Sequence, residues 1–427
     1  MDIAIVGAGP TGLIAAENLA GAGYDVVVFE RMPSPARKML MAGRGGLNLT
    51  HSEPLDDLLQ HYRPHEARLL DAIRAFPPDT LIAWANGLGI TTFTGSSRRV
   101  FPDAMKASPL VRAWLSRLAG LGVRLERDRQ LIAITPPATG EHSSSPSLTF
   151  ISKSGDTTTV TPRATLLALG GASWPRLGSD GGWVQILQTH GIDITTLEPT
   201  NSGLIVPWSS RFIDRYAGTP LKRIVLSVGD IHVPGELVVT RRGLEGTPAY
   251  TANPLIRAAL AANANSFASI AIDLRPDLQL SELEKRLTKP RGKQSLSTFL
   301  RKSAGLSPLA IALLHEGQRT GHVEDANSAA QSPAIETTPA VLATRIKALS
   351  LGVTGLAGMD RAISTAGGIA WSAIDENFMF PRLPGVFAAG EMLDWEAPTG
   401  GYLFQGCFAT GVGAAKGIER YLTGNPD

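Results

Sequence analysis

Three glycines near the N-terminus have a spacing that could bind phosphate groups. Gly7, Gly9 and Gly12 form a Gly-x-Gly-x-x-Gly pattern directly after the apolar run Ile3–Val6. In this pattern the first glycine permits a tight turn, the second lets the backbone approach a pyrophosphate, and the third lets a helix pack on a strand. The free N–H groups at the start of that helix then face the phosphates. The spacing therefore predicts a dinucleotide site.

A carboxylate follows the glycine pattern at a distance typical of such a site. Glu30 lies 18 residues after Gly12, at the end of the apolar run Val26–Phe29. A carboxylate in this place accepts hydrogen bonds from ribose hydroxyls. A glycine turn used only for packing is the alternative, but the preceding strand, the following helix and Glu30 together favour a ligand site.

Four later segments combine glycines with polar side chains. They are Met41–Thr50, Leu166–Gly171, Gly385–Asp394 and Gly400–Tyr402. Glycine lets the backbone approach a ligand closely, and the helix that the last segment opens can stabilise negative charge on a bound group. For Met41–Thr50 a mobile surface loop is the alternative interpretation.

The number of these glycine-rich segments indicates which dinucleotide the site holds, FAD or NAD. A nicotinamide dinucleotide would need only the first pattern, whereas the later segments suit a long, extended ligand. The pattern occurs once, so we expect NAD(P)H only as a transient reductant, and we predict a non-covalent FAD and no metal. The residues predicted to contact the FAD are Gly7, Gly9, Pro10, Thr11, Gly12, Glu30, Arg31, Lys38, Arg44, Gly45, Gly46, Asn48, Leu131, Gly170, Gly171, Gly390, Glu391, Asp394, Gly400, Gly401 and Tyr402.

Apolar patterns predict a strand–helix–strand unit at the N-terminus. Residues 2–6 and 26–29 are short apolar strands, and residues 10–22 carry Ala, Leu and Ile at helical spacing. A further buried strand of the parallel type is predicted over 165–169. Residues 122–134 and 148–160 predict a pair of strands joined by an exposed loop.

These elements predict an α/β fold: a Rossmann FAD-binding domain interrupted by an insert with a small β-barrel and a helical subdomain. The segment Leu166–Gly171 resembles the second FAD-contacting strand of glutathione-reductase-like flavoproteins, which makes the predicted FAD domain glutathione-reductase-like. We predict the first part of the FAD domain over 1–195 and its second part over 350–427. Between them lie a β-rich insert over 196–275 and a helical part over 276–349, the latter with a Ser-, Ala- and Pro-rich connection over 325–339.

Composition excludes several classes of protein. The 427 residues are too many for one ordinary core, and a formal charge of +2 does not by itself imply a nucleic-acid or membrane partner. The single cysteine, Cys407, excludes an internal disulfide or a paired-cysteine redox centre. No uncharged apolar run approaches the roughly 18 residues that cross a bilayer. We expect a cytoplasmic protein with no stable membrane association.

With these segments in view, the chain resembles the BaiN/RdsA-type family of FAD-dependent oxidoreductases, also called aminoacetone-oxidase-like flavoproteins. The resemblance covers nearly the whole chain and includes Arg99–Pro102, Gly170–Gly181, Gly390–Asp394 and Gly400–Tyr402. It implies reduction of conjugated C=C bonds in steroid-like enones, formation of dihydrouridine in ribosomal RNA, or oxidation of amines.

One segment departs from the family pattern. Many members carry Arg-Cys-Asn before Val-Thr-Asn, whereas this chain has Gly46–Asn48 followed by Leu49–His51. The family cysteine is missing and the arginine stands at Arg44. A mechanism that uses that cysteine as a proton donor is therefore not expected here.

Reduction of an activated double bond requires a hydride and a proton, so an acid is expected near the flavin. His51 and Tyr402 are the catalytic candidates, with a purely structural hydrogen-bonding role as the alternative for the histidine. Lys106 could contact a phosphate or substrate, and Cys407 on an apolar helix face suits packing.

A run of basic residues over Lys285–Lys302 could dock RNA. A solvated helix face is the alternative, because Phe299 is its single aromatic residue. We expect a reductase that passes hydride from NAD(P)H to a conjugated C=C acceptor, either an enone-like small molecule or a uracil in ribosomal RNA. The alternatives are an oxygen-dependent amine oxidase and a flavin-bound protein without turnover.

Overall fold

The computed structural model describes residues 1–137, 145–263, 267–320 and 338–424, without the side chains of residues 44 and 318–320. The chain forms two compact units. The first consists of Met1–Glu198 and Ser364–Asp427, and the second is Pro199–Ile363. Of the predicted connection over 325–339, residues 325–337 lie outside the described residues. None of the described helices has the length and apolar character needed to cross a bilayer.

The two units contain the following secondary structure in the described residues. The strands are β1 Ile3–Val6, β2 Val26–Glu30, β3 Thr50–His51, β4 Thr92–Thr94, β5 Arg99–Pro102, β6 Arg124–Arg127, β7 Gln130–Thr135, β8 Ser147–Ile151, β9 Thr157–Val160, β10 Ala164–Leu167, β11 Ile194–Thr200, β12 Leu204–Ile205, β13 Pro220–Val228, β14 Ile231–Val239, β15 Gly243–Glu245, β16 Ala268–Asp273, β17 Leu349–Val353, β18 Gly355–Leu356, β19 Ser364–Ile369 and β20 Val386–Ala388. The helices are α1 Pro10–Gly21, α2 Arg37–Ala42, α3 Leu55–Leu59, α4 Ala67–Ala75, α5 Pro78–Gly87, α6 Ala107–Gly120, α7 Trp183–Gln188, α8 Ser210–Tyr216, α9 Thr247–Thr251, α10 Asn253–Ala262, α11 Leu280–Leu287, α12 Leu296–Ser303, α13 Pro308–Thr320, α14 Pro339–Lys347 and α15 Tyr402–Thr423.

A five-stranded parallel sheet, in the order β20-β10-β1-β2-β6, organises the first unit. Ile3 of β1 pairs with Ala164 on one side and with Val26 on the other. Every residue of β1 is buried, as expected of a parallel strand covered on both faces. The predicted strand–helix–strand unit and the α/β fold class are confirmed.

The predicted pairing of residues 122–134 with residues 148–160 is wrong in its bounds. β6 joins the parallel sheet beside β2, whereas β7, β8 and β9 form a separate antiparallel sheet. Asp128, with φ +59°, separates β6 from β7, and Gly155, with φ +92°, separates β8 from β9. Hydrophobic periodicity does not detect a single residue in the left-handed region. The pattern therefore predicted β6 and β7 as one strand, and β8 and β9 as another.

The C-terminal helix α15 packs closely on α1. A Cβ added at Gly411 would lie 2.7 Å from the carbonyl oxygen of Thr11, so the two backbones are in near contact there. Proline at the first position of α1 suits its start, because the missing N–H would have no partner within the helix. This packing fixes the start of α15 relative to the glycine turn.

The second unit contains a seven-stranded sheet in the order β17-β16-β13-β14-β15-β12-β18. Its two edge strands, β17 and β18, are separated in the chain only by Thr354. The sheet must therefore curl until its edges meet, as in a small barrel. The predicted boundary after residue 349 falls within β17, which pairs with β16 and so belongs to this unit.

Candidate active site

A cleft opens in the first unit where the parallel strands end. Its lining includes Val6 at the end of β1, Glu30 at the end of β2 and Ala168 just after β10. Open α/β sheets bind ligands outside the carboxyl ends of their strands. The position of the cleft therefore suits a dinucleotide.

The three glycines of the N-terminal turn are needed for different reasons. A Cβ added at Gly7 would lie 2.3 Å from the carbonyl oxygen of Ala168, and one added at Gly12 would lie 2.0 Å from that of Gly7. A Cβ at Gly9 would meet no protein atom within 4 Å. Packing within the protein thus requires Gly7 and Gly12, whereas Gly9 faces the open cleft and leaves room for a ligand.

Glu30 is held in place by the backbone. Its Oε2 accepts a hydrogen bond from the Ala8 N–H at 2.9 Å, and its Oε1 accepts one from the Met32 N–H at 2.8 Å. Burial raises the pKa of Glu30, although these two bonds oppose the shift. The remaining lone pairs of a fixed carboxylate suit the two hydroxyls of a ribose.

A lysine–glutamate pair lies deeper along the cleft. Lys38 Nζ donates to both oxygens of Glu391, at 2.8 and 3.1 Å, and also to the hydroxyl of Ser173. Glu391 in turn accepts from the Thr365 N–H at 3.0 Å and from the Gly171 N–H at 3.5 Å. The network connects predicted site residues that lie far apart in the chain.

Two buried polar atoms of the cleft have no hydrogen-bond partner among the described residues. They are Nε of Arg37 and Oγ of Ser179, and both residues line the cleft. Such atoms cost free energy unless a ligand or water satisfies them. Together with the free N–H groups at the start of α1, they fit the pyrophosphate and hydroxyl groups of FAD.

The cleft lining includes many predicted contact residues, and it adds others. The predicted residues that line it are Gly7, Gly9, Pro10, Thr11, Glu30, Arg31, Lys38, Leu131, Gly170 and Glu391. Among the described residues, the predicted ones that do not line it are Gly12, Gly45, Gly46, Asn48, Gly171, Gly390, Asp394, Gly400, Gly401 and Tyr402. The side chain of Arg44 lies outside the described residues. Lining residues that were not among the predicted contacts include Arg37, Arg129, Ser179, Asp180, Trp183 and Cys407.

Two of the predicted residues, Asp394 and Arg31, are held in position by hydrogen bonds or ion pairs with other side chains. Asp394 Oδ2 accepts from the Thr195 hydroxyl at 2.6 Å. Arg31 forms an ion pair with Asp180 at 2.7 Å. Asp180 and its neighbour Ser179 belong to the run Gly170–Gly181, so a closer look at that run would have found them.

The glycine-rich segment over residues 41–50 is anchored rather than loose. Gly43–Gly45 is a 3-10 turn that continues α2. Leu47 and Leu49 are fully buried, and their N–H groups donate to the carbonyl oxygens of Met105 and Val100. Between them, Oδ1 of Asn48 is buried without a hydrogen-bond partner in the described part of the chain. Residues 47–50 are therefore not a surface loop.

Tyr402, at the start of α15, belongs to a second cluster in the first unit. Its hydroxyl donates to Glu53 Oε1 at 2.7 Å, and its ring stacks on that of His51 with centroids 5.3 Å apart. His51 Nδ1 and His61 Nε2 lie 3.3 and 3.5 Å from the same carboxylate oxygen. The two predicted catalytic candidates thus lie together, whereas Glu53 and His61 were not predicted.

Local backbone geometry brings this cluster to the start of α15. β3 pairs with β5, which places His51 opposite Arg99. A Cβ added at Gly401 would lie 2.5 Å from the Thr50 backbone, so the helix start and β3 approach closely. Tyr402 lies five residues before Cys407, which lines the cleft, or about 7.5 Å along the helix axis.

The protonation states in the cluster follow from its burial. Burial and the hydrogen bond to Glu53 raise the pKa of Tyr402 well above its usual value, so this hydroxyl keeps its proton at neutral pH. His51 Nε2 lies 3.1 Å from the Ser97 carbonyl oxygen, which only accepts, so Nε2 carries a proton. Burial lowers the pKa of His51, Glu53 opposes that shift and Arg99 adds to it. The cluster therefore holds a protonated tyrosine beside a neutral imidazole.

The remaining candidates are less suited to proton transfer. Burial raises the pKa of Cys407 to about 12, so it remains a thiol next to the cleft. Lys106 is exposed just before α6. In the basic run of the second unit, Arg286 pairs with Glu282 at 2.6 Å and Phe299 is buried, so the one aromatic ring is not available for stacking on a base.

Known proteins of two reported activities are similar to this chain over nearly its whole length. The 3-dehydro-bile acid delta(4,6)-reductase of Clostridium scindens is 24% identical, over 97% of this chain and 98% of that one. The ribosomal RNA dihydrouridine synthase of Haemophilus influenzae is 25% identical, over 97% and 98% of the two chains. The solved structure of 3-ketosteroid delta1-dehydrogenase from Sterolibacterium denitrificans matches with a TM-score of 0.53 and 12% identity, over 98% and 99% of the two chains, a likeness of fold alone.

The family resemblance is confirmed by a comparison that covers both units. The profile of the HI0933-like protein Rossmann domain family matches residues 1–417. The chain belongs to this family, that of the BaiN/RdsA-type FAD-dependent oxidoreductases.

Proposed function

We propose that this protein is a reductase that binds FAD in the cleft, takes hydride from NAD(P)H and delivers it to a conjugated C=C acceptor. The observation that carries the proposal is the protonated Tyr402 hydroxyl, held by Glu53 at the start of the helix that also lines the cleft. Reduction of a C=C bond needs a proton donor of this kind as well as a hydride. When bound, FAD supplies the hydride at N5 of its ring system.

The residues of the cleft divide naturally among the parts of FAD. Gly9 and the start of α1 would hold the pyrophosphate, and Glu30 the adenosine ribose. Lys38 and Glu391 would hold the hydroxyls of the ribityl chain. Gly400 and Gly401, with the N–H groups that open α15, would face the N1/C2=O edge of the flavin ring. These assignments extend the cleft towards the cluster that contains Tyr402.

Two acceptor classes are compatible with this chemistry. An enone and the uracil ring share a C=C bond conjugated to a carbonyl group, and similar proteins are named for a bile-acid reductase and for ribosomal RNA dihydrouridine synthases. The exposed basic residues over Lys285–Lys302 favour an RNA substrate as the second candidate. That candidate predicts salt-sensitive RNA binding, which weakens when Lys285, Lys289 and Arg291 are neutralised. Unchanged binding would remove the argument for RNA.

An anaerobic titration tests the proposal against its alternatives. The purified protein is expected to carry flavin that can be extracted intact, and NADH or NADPH is expected to bleach it. Bleaching by aminoacetone or another small amine, with no response to either nicotinamide, would instead indicate an amine oxidase. Bound flavin that no reductant bleaches would indicate a binding protein without turnover.

A further inference from the structure

One oxygen of Glu53 is approached by three side chains that can carry protons. Tyr402 Oη lies 2.7 Å from Glu53 Oε1, His51 Nδ1 lies 3.3 Å from it and His61 Nε2 lies 3.5 Å from it. They come from the first turn of α15, from β3 and from the turn that follows α3. Three separate pieces of the first unit therefore meet at a single acceptor atom.

The members of this cluster differ in their access to water. The side chain of His61 is 41% exposed, that of Glu53 is 12% exposed, and Tyr402 is 6% exposed. Two contacts connect solvent with the buried hydroxyl: an ion-pair contact of 3.5 Å between His61 and Glu53, and the hydrogen bond of 2.7 Å between Tyr402 and Glu53. His51 is also 12% exposed, and its second nitrogen is held by the Ser97 carbonyl oxygen.

We propose that His61 and Glu53 form a proton inlet that restores the proton of Tyr402 after each turnover. The inference rests on the proposed function, in which Tyr402 gives its proton to a carbon of the acceptor. Tyr402 is the catalytic residue in this scheme. Glu53 and His61 act through it, so they are positioning and relay residues.

The transfers balance without any change of oxidation state in the relay. Hydride reaches the β-carbon of the acceptor, and the electron pair of the resulting enolate takes the O–H proton of Tyr402 to form the α C–H bond. The tyrosinate recovers a proton through Glu53, which receives it from the imidazolium of His61, and His61 takes the next proton from water. A tyrosinate is a stronger base than a carboxylate or an imidazole, so the net transfer runs towards Tyr402.

Other groups around the cluster set its charge. Arg99 on β5 lowers the pKa of both Tyr402 and His51, which favours the transient tyrosinate. Tyr62 donates to the backbone carbonyl oxygen of Tyr402 at 2.8 Å, and burial raises its own pKa well above the usual value. Tyr62 therefore fixes the position of Tyr402, and its own hydroxyl stays protonated near neutral pH.

A purely structural role for Glu53 makes a different prediction. A carboxylate that only holds the Tyr402 hydroxyl would need no proton from His61, whose ring packs against that of Tyr402 with centroids 4.7 Å apart. Replacement of His61 by Gln leaves the Tyr402–Glu53 hydrogen bond in place. Its effect on proton delivery therefore separates a relay from a structural contact.

The first test follows reoxidation of the NADPH-reduced holoenzyme, without oxygen, by 2-cyclohexenone, 4-androstene-3,17-dione and uridine. We expect His61→Gln to slow reoxidation about tenfold to a hundredfold, because general-acid steps contribute about 10²–10⁴-fold. Added imidazole should restore the rate, and Glu53→Asp should recover more of it than Glu53→Gln. Reduction by NADPH should be unchanged. The matched control is His65→Gln, at an exposed histidine four residues along the chain.

An identical pH profile for His61→Gln and His65→Gln would overturn the relay. If none of the three acceptors reoxidises the wild-type protein, the proposed function fails, and a second measurement then tests the charge contacts on which the relay depends. The charge of His61 lowers the pKa of His51 and that of Glu53 raises it. In NMR titrations of the ring protons, His51 should therefore titrate at higher pH in His61→Gln and at lower pH in Glu53→Gln. An unmoved His51 in both variants would contradict the inlet.

Discussion

In the proposed reaction, the hydroxyl of Tyr402 must keep its proton until a substrate carbon takes it. Two features ensure this: burial of the ring and a hydrogen bond to an ionised carboxylate, which would be repelled by a tyrosinate. The neighbouring Arg99 opposes both and lowers the cost of losing the proton during turnover. At the scale of single residues, the site therefore combines a well-held proton with a nearby cation that eases its release.

Replacement of Tyr402 by Phe removes the proton donor but keeps the ring. We expect the rate of acceptor reduction to fall about a hundredfold, within the usual range for a general acid. FAD content and reduction by NADPH should remain near those of the wild type. Tyr421→Phe, at a residue that is 40% exposed, is the matched control. Equal acceptor rates in the two variants would exclude Tyr402 as the donor.

The glycine turn offers a series of three variants with different expected effects. Gly9→Ala should leave the unfolding free energy nearly unchanged, because its Cβ would meet no protein atom within 4 Å. It should weaken FAD binding by about tenfold or more, which is about 1.4 kcal/mol. Gly12→Ala should destabilise the fold itself, since its Cβ would lie 2.0 Å from a carbonyl oxygen. The control is Gly21→Ala at the end of α1, where an added Cβ would also meet no protein atom within 4 Å. If Gly9→Ala and Gly21→Ala bound FAD with the same affinity, the assignment of Gly9 to the FAD site would be contradicted.

Sequence reasoning succeeded for residues whose roles are dictated locally. Gly7, Gly9, Gly12 and Glu30 lie within one strand–helix–strand unit, where spacing alone specifies their geometry. Glu53 stands 349 positions from its partner Tyr402, and no spacing rule connects a single carboxylate to a tyrosine that far away. The cluster around Glu53 therefore became visible only in the structure, although the sequence had already indicated His51 and Tyr402 as catalytic candidates.

At the scale of elements, one carboxylate joins three helices behind the cleft. Glu17 on α1 accepts from the indole N–H groups of Trp114 on α6, at 2.7 Å, and of Trp84 on α5, at 3.0 Å. Its other oxygen pairs with Arg117 at 2.8 Å. Because α1 begins at the glycine turn, this network helps to hold in place the end of the helix that is proposed to bind phosphate.

Loss of this carboxylate should destabilise the first unit. Glu17→Ala leaves the fully buried indole of Trp114 and that of Trp84 without their acceptor, a cost on the order of 3 kcal/mol. Glu17→Gln retains an acceptor oxygen and should cost clearly less. Urea unfolding of the apo-protein measures the difference. Equal free energies of unfolding for the two variants would show that the indole bonds contribute little.

Elements were predictable where apolar runs were long and regular. β1, α1, β2 and α15 follow from such runs, and their positions explain the cleft. The two-residue strand β3 has no pattern of its own and is specified by its pairing with β5. This short strand carries His51, so the sequence indicated the residue but not the element that positions it.

At the scale of the whole molecule, both units contain a tyrosine that resists ionisation. Burial raises the pKa of Tyr62 and Tyr402 in the first unit and of Tyr250 in the second. Each binds its proton more tightly when folded than when unfolded, where a tyrosine titrates near pH 10. Their contribution to stability is therefore complete below about pH 10 and is lost as pH rises further.

We expect the free energy of unfolding to fall steeply above about pH 10. The fall should be smaller in Tyr402→Phe, because that variant has one fewer group to deprotonate on unfolding. Chemical denaturation at a series of alkaline pH values measures both slopes. A stability that is flat across this range, or an equal slope in the variant, would contradict the assigned burial of these hydroxyls.

The central claim is that this protein passes hydride from NAD(P)H to a conjugated C=C bond. The most direct measurement is a competition for the reduced holoenzyme, in which its reoxidation is timed with an enone, with uridine or with oxygen. The account predicts that an enone or uridine reoxidises the flavin faster than oxygen and is converted to the saturated product. Reoxidation by oxygen alone, with both acceptors recovered unchanged, would contradict it.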